Sequence, residues 1–261
     1  MRILAIDIGA GTQDILLYDD TKNIENCIKM VLPSPHLIFA QKIRAATLRK
    51  QDVFVDGDII GGGDFAAALR THVGKGFRAF MTETAAYTIR NNLDQVRSMG
   101  IEITNTLPQN FHGQSLTIKE LDLKWLELLL LSFNERLVDI DVISVAVQDH
   151  GVSPINVSDR QFRIQKMRER LENDARPENL AFTECEIPSY FLRMKSAAQT
   201  LKKQLPKCEV LVMDTSPAAI LGCLEDQMVK ETDLVLGANV GNGHTMVAII
   251  NENKIIGIVE H

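Results

Sequence analysis

The chain has 261 residues, and its 34 acidic against 28 basic side chains give a formal net charge of -6 at pH 7. This balance excludes nucleic acid and anionic membranes as expected partners, because neutralising phosphates over a large surface needs a basic face. The four cysteines are widely separated and form no CxxC pair, which is typical of reduced thiols. No secretory signal precedes the first strand and every apolar run is too short to span a bilayer, so we expect a cytoplasmic protein.

The beginning of the chain predicts a hairpin, a third strand and a helix. Residues 3–6 and 14–18 form the two hairpin strands around a glycine turn, and residues 27–32 form the third strand. Ser34 is the expected N-cap of the following helix, with Pro35 at its first position.

The rest of the chain alternates strands and helices. Strands are predicted at 53–60, 141–147, 209–213, 234–239, 246–251 and 254–259, and helices at 64–72, 92–99, 121–133, 159–173, 189–204 and 217–224. This order predicts an α/β fold, a mixed sheet flanked by helices. Trp125 is expected in the core, and His36, His72 and His112 at the surface or at helix ends. The run 61–64 (Gly-Gly-Gly-Asp) favours a turn with a helix cap over an anion loop, because no Lys-Thr follows it.

One pattern occurs twice. A buried strand leads into Asp7-Ile8-Gly9-Ala10-Gly11-Thr12-Gln13, and another leads into Asn239-Val240-Gly241-Asn242-Gly243-His244-Thr245. Aligned on the polar residue, Asp7 matches Asn239, and Thr12 falls opposite His244. Glycines let the main chain approach a ligand, and successive N–H groups form a concave nest for phosphate oxygens. Asp7 can hold a water of hydrated Mg²⁺.

An ordinary tight hairpin also selects Gly and Asn, so either turn alone says little. Two matched turns, each between buried strands, favour phosphate binding.

The paired turns resemble those of the actin, Hsp70 and sugar-kinase superfamily. In its Hsp70-type members a buried strand with a polar loop and then a Pro-Ala-Ala helix separate the turns, as residues 142–150 and 214–222 do here. The resemblance implies a ribonuclease H-like, actin-like ATPase fold with residues 1–225 as a first lobe and 226–261 as the start of a truncated second lobe. It also implies ATP and Mg²⁺ as cofactors, with the nucleotide held by Gly9, Ala10, Gly11, Thr12, Gln13, Gly241, Asn242, Gly243, His244 and Thr245. The superfamily's adenosine-binding segment would lie past His261, so the chain is expected to be a truncated version or a fragment.

The opening Gly-Ala-Gly-Thr-Gln-Asp and the later Val-Gln-Asp-His-Gly also resemble a narrower family, labelled pyruvate formate-lyase activating enzyme-like. That label implies radical chemistry on an iron–sulfur cluster, which needs three closely spaced cysteines. The sequence lacks them, so we do not expect that chemistry.

Three carboxylates are candidates for catalysis or metal binding. Asp149 follows a buried strand, where ligands of α/β sheets gather, and is the expected base. Asp7 is expected to act in catalysis and to face the metal, and the superfamily resemblance implies that Asp214 lies near the metal as well. A capped strand end explains Asp149 equally, and a helix cap explains Asp214 slightly better.

Two functions remain open. The first is Mg²⁺-dependent ATP hydrolysis or phosphoryl transfer to a small-molecule or protein acceptor. The second is non-catalytic nucleotide sensing or interaction, which Asn239 favours because it replaces the usual acid of the second turn. A third reading leaves both turns purely structural, and a homo-oligomer is left open.

Overall fold

The computed structural model describes residues 1–261, which form thirteen strands and nine α-helices. The strands are β1 (Arg2–Ile8), β2 (Thr12–Asp19), β3 (Ile28–Pro33), β4 (Val53–Gly57), β5 (Ala79–Met81), β6 (Ile101–Ile103), β7 (Gln114–Ile118), β8 (Val142–Val147), β9 (Phe182–Thr183), β10 (Glu209–Met213), β11 (Leu234–Val240), β12 (Thr245–Asn251) and β13 (Lys254–Glu260). The helices are α1 (Pro35–Leu48), α2 (Gly63–Gly74), α3 (Glu83–Ala86), α4 (Leu93–Ser98), α5 (Leu123–Leu131), α6 (Asp159–Leu171), α7 (Leu192–Gln204), α8 (Thr215–Leu224) and α9 (Gln227–Lys230). The α/β class predicted from the alternating pattern is confirmed.

The chain divides into two compact units. Unit 1 comprises residues 1–32, 138–198 and 205–261, and unit 2 comprises residues 33–137 and 199–204. Residues 226–261 belong to the same unit as the N-terminal hairpin. No helix is both long enough and apolar enough to cross a membrane.

The six-stranded sheet of unit 1 has the order β3-β2-β1-β8-β10-β9. β1 is antiparallel to β2 and parallel to β8, and β8 is parallel to β10. Because side chains alternate along each strand, Ile6, Val145 and Val212 stand level with one another on one buried face. The next row on the opposite face contains Asp14, Asp7, Ala146 and Met213. The sheet therefore carries its acidic pair on the face away from that apolar row.

A second, antiparallel sheet of unit 1 has the order β11-β12-β13. Its inward residues Met246, Ala248 and Ile250 pack with Ile220 of α8 in one apolar cluster. This packing fixes the second glycine turn, which joins β11 and β12, to the rest of unit 1.

Unit 2 contains a parallel sheet with the order β6-β5-β4-β7. α1 and α2 contribute Ile43, Phe65 and Leu69 to its core. β6 and β7 were not predicted, and neither was β9 of unit 1, because all three are short and lack a clear apolar run.

His36 lies at the N-terminal end of α1 and His72 in the last turn of α2, which confirms the helix-end positions predicted for them. Both are buried, since short polar contacts satisfy them: Ser34 Oγ lies 2.8 Å from His36 Nδ1, and Thr47 Oγ1 lies 2.8 Å from His72 Nδ1. The core position predicted for Trp125 was wrong. Trp125 is 48% exposed, because α5 buries the face that contains Leu126 and Leu130 instead.

Candidate functional site

The two predicted glycine turns have the same backbone structure. Ile8 pairs with Gln13 at the end of the first hairpin, and Val240 pairs with Thr245 at the end of the second. In the first turn the Gly9 N–H donates to the Thr12 carbonyl at 2.9 Å, and in the second the Gly241 N–H donates to the His244 carbonyl, also at 2.9 Å. The match found in the sequence is thus a match in register, turn length and hydrogen bonding.

The two turns lie against each other in unit 1. A Cβ added to Gly11 would lie 2.2 Å from Asn242 Nδ2, and one added to Gly243 would lie 3.9 Å from Ala10 Cβ. Position 11 must therefore be glycine as long as the Asn242 amide keeps its place. The side chain of Asn242 occupies the junction of the turns, and a ligand bound there would have to displace it.

Asp7 lies at the end of β1, directly across from Asp14 of β2. The carboxyl group is accessible to solvent, yet protein atoms surround much of it, as expected on the wall of a concave surface. This desolvation, reinforced by the charges of Asp14 and Asp214 and opposed by Arg193, raises the pKa of Asp7 to about 6. A carboxylate with such a pKa changes its charge near neutral pH.

A cavity of about 550 Å³ lies along the open face of the six-stranded sheet, with Asp7 and Asp14 among its lining residues. Its other walls are mostly apolar and include Ala5, Leu16 and Leu211. The acidic pair therefore borders a space large enough for a small organic ligand.

Asp149, the expected base, is engaged by the backbone. Its Oδ1 accepts from the Gly151 N–H at 2.8 Å, and its Oδ2 accepts from the N–H groups of Arg193 and Met194 at 2.8 and 3.0 Å. Burial raises the pKa of Asp149, although these N–H donors and Arg193 oppose the shift. Because α7 begins at Leu192, Asp149 satisfies the free N–H groups of its first turn. The geometry thus assigns Asp149 a capping role, and its carboxyl group is buried.

Asp214, the second expected metal ligand, is also engaged. Arg163 Nε donates to Asp214 Oδ2 at 2.8 Å, and Arg163 Nη2 donates to Oδ1 at 2.5 Å. Asp214 additionally accepts from the Ser216 N–H at 3.1 Å, as the N-cap of α8. Since the guanidinium already neutralises the carboxylate, Asp214 is not available to coordinate a metal directly in this arrangement.

Arg163 and Glu260 are site residues that the sequence did not reveal. Both side chains are fully buried, and Arg163 Nη1 donates to Glu260 Oε1. Burial alone would lower the pKa of Arg163, but Asp214 and Glu260 outweigh it and raise the pKa above its ordinary value. The two residues are 97 positions apart, so no local pattern could have paired them.

Two histidines complete the cluster. His244 Nδ1, in the second turn, lies 3.1 Å from Glu260 Oε1, although the approach is not that of a well-aligned hydrogen bond. The His150 ring, in the loop after β8, lies with its centroid 5.6 Å from that of His244. Desolvation, Arg163 and His244 lower the pKa of His150, so this imidazole favours its neutral form.

Residues 60–261 match the model of a family described as "Putative pyruvate format-lyase activating enzyme (DUF1786)". The chain belongs to this family. The matched residues include the second turn, Arg163 and Asp214, whereas the first turn precedes them. A search of curated proteins found no match.

The cysteines do not fit the iron–sulfur cluster that the family's label implies. The Cys27 thiol faces the carbonyls of Asp19 and Asn23, and the Cys208 thiol donates to the Ile140 carbonyl at 2.9 Å. No group of three or more Cys, His, Asp or Glu residues is arranged to hold a metal ion. Three thiolates are thus not brought together, and we derive no step through such a cluster.

Proposed function

We propose that this chain binds the phosphate chain of a nucleotide, together with Mg²⁺, where its two glycine turns meet. The observation that carries the proposal is the pair of turns, which share register and hydrogen bonding and lie against each other. Backbone N–H groups of glycine turns bind phosphate oxygens, so two such turns side by side can bind a phosphate chain from two sides. Asn242 would give way on binding, because only its flexible side chain fills the junction.

The strand order supports the same proposal. In the order β3-β2-β1-β8-β10, β2 is antiparallel to β1 whereas β1, β8 and β10 are parallel, so the sheet is mixed, which is compatible with the fold that the resemblance to the actin, Hsp70 and sugar-kinase superfamily implies. The second hairpin likewise opens a sheet of three antiparallel strands. Both turns thus occur in the same structural context.

Asp7 is the residue that fits Mg²⁺. This ion keeps several waters and takes one or two carboxylates together with phosphate oxygens, so it does not need a cage of three protein ligands. Asp7 is accessible and borders the cavity, whereas Asp214 is paired with Arg163. Bound Mg²⁺ would neutralise charge on the phosphates and polarise them for attack.

The proposed reaction is ATP hydrolysis or phosphoryl transfer. A second candidate, nucleotide sensing without turnover, is favoured by one observation: the carboxylate expected as the base, Asp149, caps α7. Measuring release of inorganic phosphate from Mg·ATP separates the two candidates.

Calorimetric titration with Mg·ADP and Mg·ATP, run beside thermal melting, tests the binding. Ligand at 100 times its Kd should stabilise the wild-type chain by about 2.7 kcal/mol. Asp7→Asn should lose the Mg²⁺-dependent part of the affinity, whereas the control Asp94→Asn, which changes an exposed carboxylate of unit 2, should bind like the wild type. A wild-type chain that binds neither nucleotide would refute the proposal.

A further inference from the structure

Hydrolysis at the paired turns needs a group that takes a proton from the attacking water. Asp149 is buried and accepts three backbone hydrogen bonds as the cap of α7, and Asp214 is neutralised by Arg163. Asp7 is assigned to the metal. Other side chains at the turns are therefore candidates for the base.

His244 is a side chain of the second turn itself. Its carbonyl accepts the hydrogen bond that closes the turn, so the backbone holds the residue where the two turns meet. Its Nδ1 is buried and faces Glu260, yet 25% of the side chain remains exposed. The exposed part therefore lies on the rest of the ring, which includes Nε2.

Glu260 is positioned to orient that ring. One of its oxygens contacts both Arg163 Nη1 and His244 Nδ1, and the side chain has no exposed surface. A carboxylate beside Nδ1 stabilises the tautomer with its proton on Nδ1, which leaves the lone pair on Nε2 to accept a proton. The 3.1 Å contact is poorly aligned here, and catalytic hydrogen bonds often tighten only when the substrate is bound.

We infer that His244 is the general base of the hydrolysis proposed above, with Glu260 as its positioning residue and Arg163 as the group that holds Glu260. This inference rests on the proposed function. In the step, the water oxygen bonds to the terminal phosphorus while the bond from that phosphorus to its bridging oxygen breaks. The electron pair of that bond leaves with the nucleoside diphosphate, and the water's proton goes to His244 Nε2. The products are nucleoside diphosphate, inorganic phosphate and a protonated imidazole, which later returns its proton to solvent.

The charges around His244 come from three directions. Glu260 of β13 stabilises a positive charge on the His244 ring. Arg163 of α6 destabilises such a charge, and so does His150 of the loop after β8 when it is protonated. Because the pKa of Asp7 is raised to about 6, a pH profile of turnover would include the ionisation of this carboxyl group. Chemical rescue is therefore the sharper test.

The test compares His244→Ala with the control His112→Ala, which removes an exposed histidine of unit 2. Phosphate release should fall by about 100-fold or more in His244→Ala, the usual loss for a general base. The Kd for Mg·ADP should stay within about threefold, because the turn binds phosphate through backbone N–H groups that the substitution keeps. Added imidazole should restore part of the turnover in His244→Ala and none in Asp7→Asn. His112→Ala should match the wild type.

Glu260→Gln tests the positioning role with a neutral side chain of the same shape. Its turnover should fall by about tenfold, the scale of the loss when a hydrogen-bonding partner of a functional histidine is removed, while Mg·ADP binding by the folded protein stays close to wild type. The melting temperature should fall, because glutamine removes one partner of a buried ion pair, so turnover is compared at a temperature where both proteins are folded. Full turnover in His244→Ala, or loss of turnover without imidazole rescue, overturns the inference. If the wild-type protein binds Mg·ADP but does not hydrolyse ATP, the inference about His244 is wrong while the proposed nucleotide binding is supported. If the wild-type protein binds no nucleotide, the proposed function itself is refuted.

Discussion

Replacing Arg163 with leucine tests how unit 1 is held together. The guanidinium is fully buried and donates to Asp214, Glu260 and the Ser216 hydroxyl. These contacts join α6 to the start of α8 and to β13, the last strand of the second sheet. Leucine would leave two carboxylates without a cation, with side-chain exposures of 4% for Asp214 and 0% for Glu260.

The expected loss is large. Removing one partner of a buried ion pair typically costs about 3–5 kcal/mol, because the remaining charge stays desolvated and uncompensated. Domains of this kind are stable by only about 5–15 kcal/mol in total. Arg163→Leu should therefore remove a substantial part of the free energy of unfolding of unit 1.

Urea unfolding followed by far-UV circular dichroism measures this loss. The single tryptophan, Trp125, belongs to unit 2, so its fluorescence reports on the other unit and serves as an internal reference. The matched control is Arg168→Leu, on the same helix, where an exposed pair with Glu172 should contribute only about 0.3–0.5 kcal/mol. If Arg163→Leu is no more destabilising than Arg168→Leu, the network does not hold unit 1 together.

Three further predictions concern the site. Asp7→Asn should stabilise the protein at pH 8 by roughly 1 kcal/mol after allowance for solvent screening, because a pKa of about 6 penalises the ionised folded form. Urea midpoints should show this gain shrinking as the pH falls below about 6 and vanishing below about pH 3, where the folded and unfolded acids are both largely protonated. Gly11→Ala should weaken Mg·ADP binding in calorimetry, because the new methyl group would collide with the Asn242 amide, and adding Asn242→Ala should restore part of the binding. The control Gly222→Ala, whose methyl group meets nothing within 4 Å, should leave binding unchanged. Asp149→Ala should lower the free energy of unfolding by about 2–3 kcal/mol, since three N–H groups lose their acceptor. If this variant instead lost ATP turnover and kept its stability, Asp149 would have a catalytic role.

The hairpins could be predicted because their signals are local. Alternating apolar residues set each strand, and the glycine spacing sets each turn, so register and turn length follow from a dozen neighbouring residues. That the two turns would meet was implied only by the superfamily resemblance. Their contact depends on how the second sheet packs on α8, which involves residues far apart in the sequence.

The acid–base network could not be read from the sequence for a different reason. Asp149 and Asp214 were found as polar residues at strand ends, but whether such a carboxylate faces a ligand or a helix N-terminus depends on where the next helix begins. Arg163 lies in a helix with many charged residues, where nothing distinguishes it from its exposed neighbour Arg168. Only the fold shows that one of these arginines is buried with two acids.

Because the two glycine turns share one backbone structure, their side chains can differ. Backbone amides and glycines alone create the turn, so the residues before and after the glycines are free to diverge without losing the loop. The first copy has an acid at Asp7 and a hydroxyl at Thr12, and the second has an amide at Asn239 and an imidazole at His244. Two turns with the same backbone can therefore carry different chemistry, an acid in one and a proton acceptor in the other.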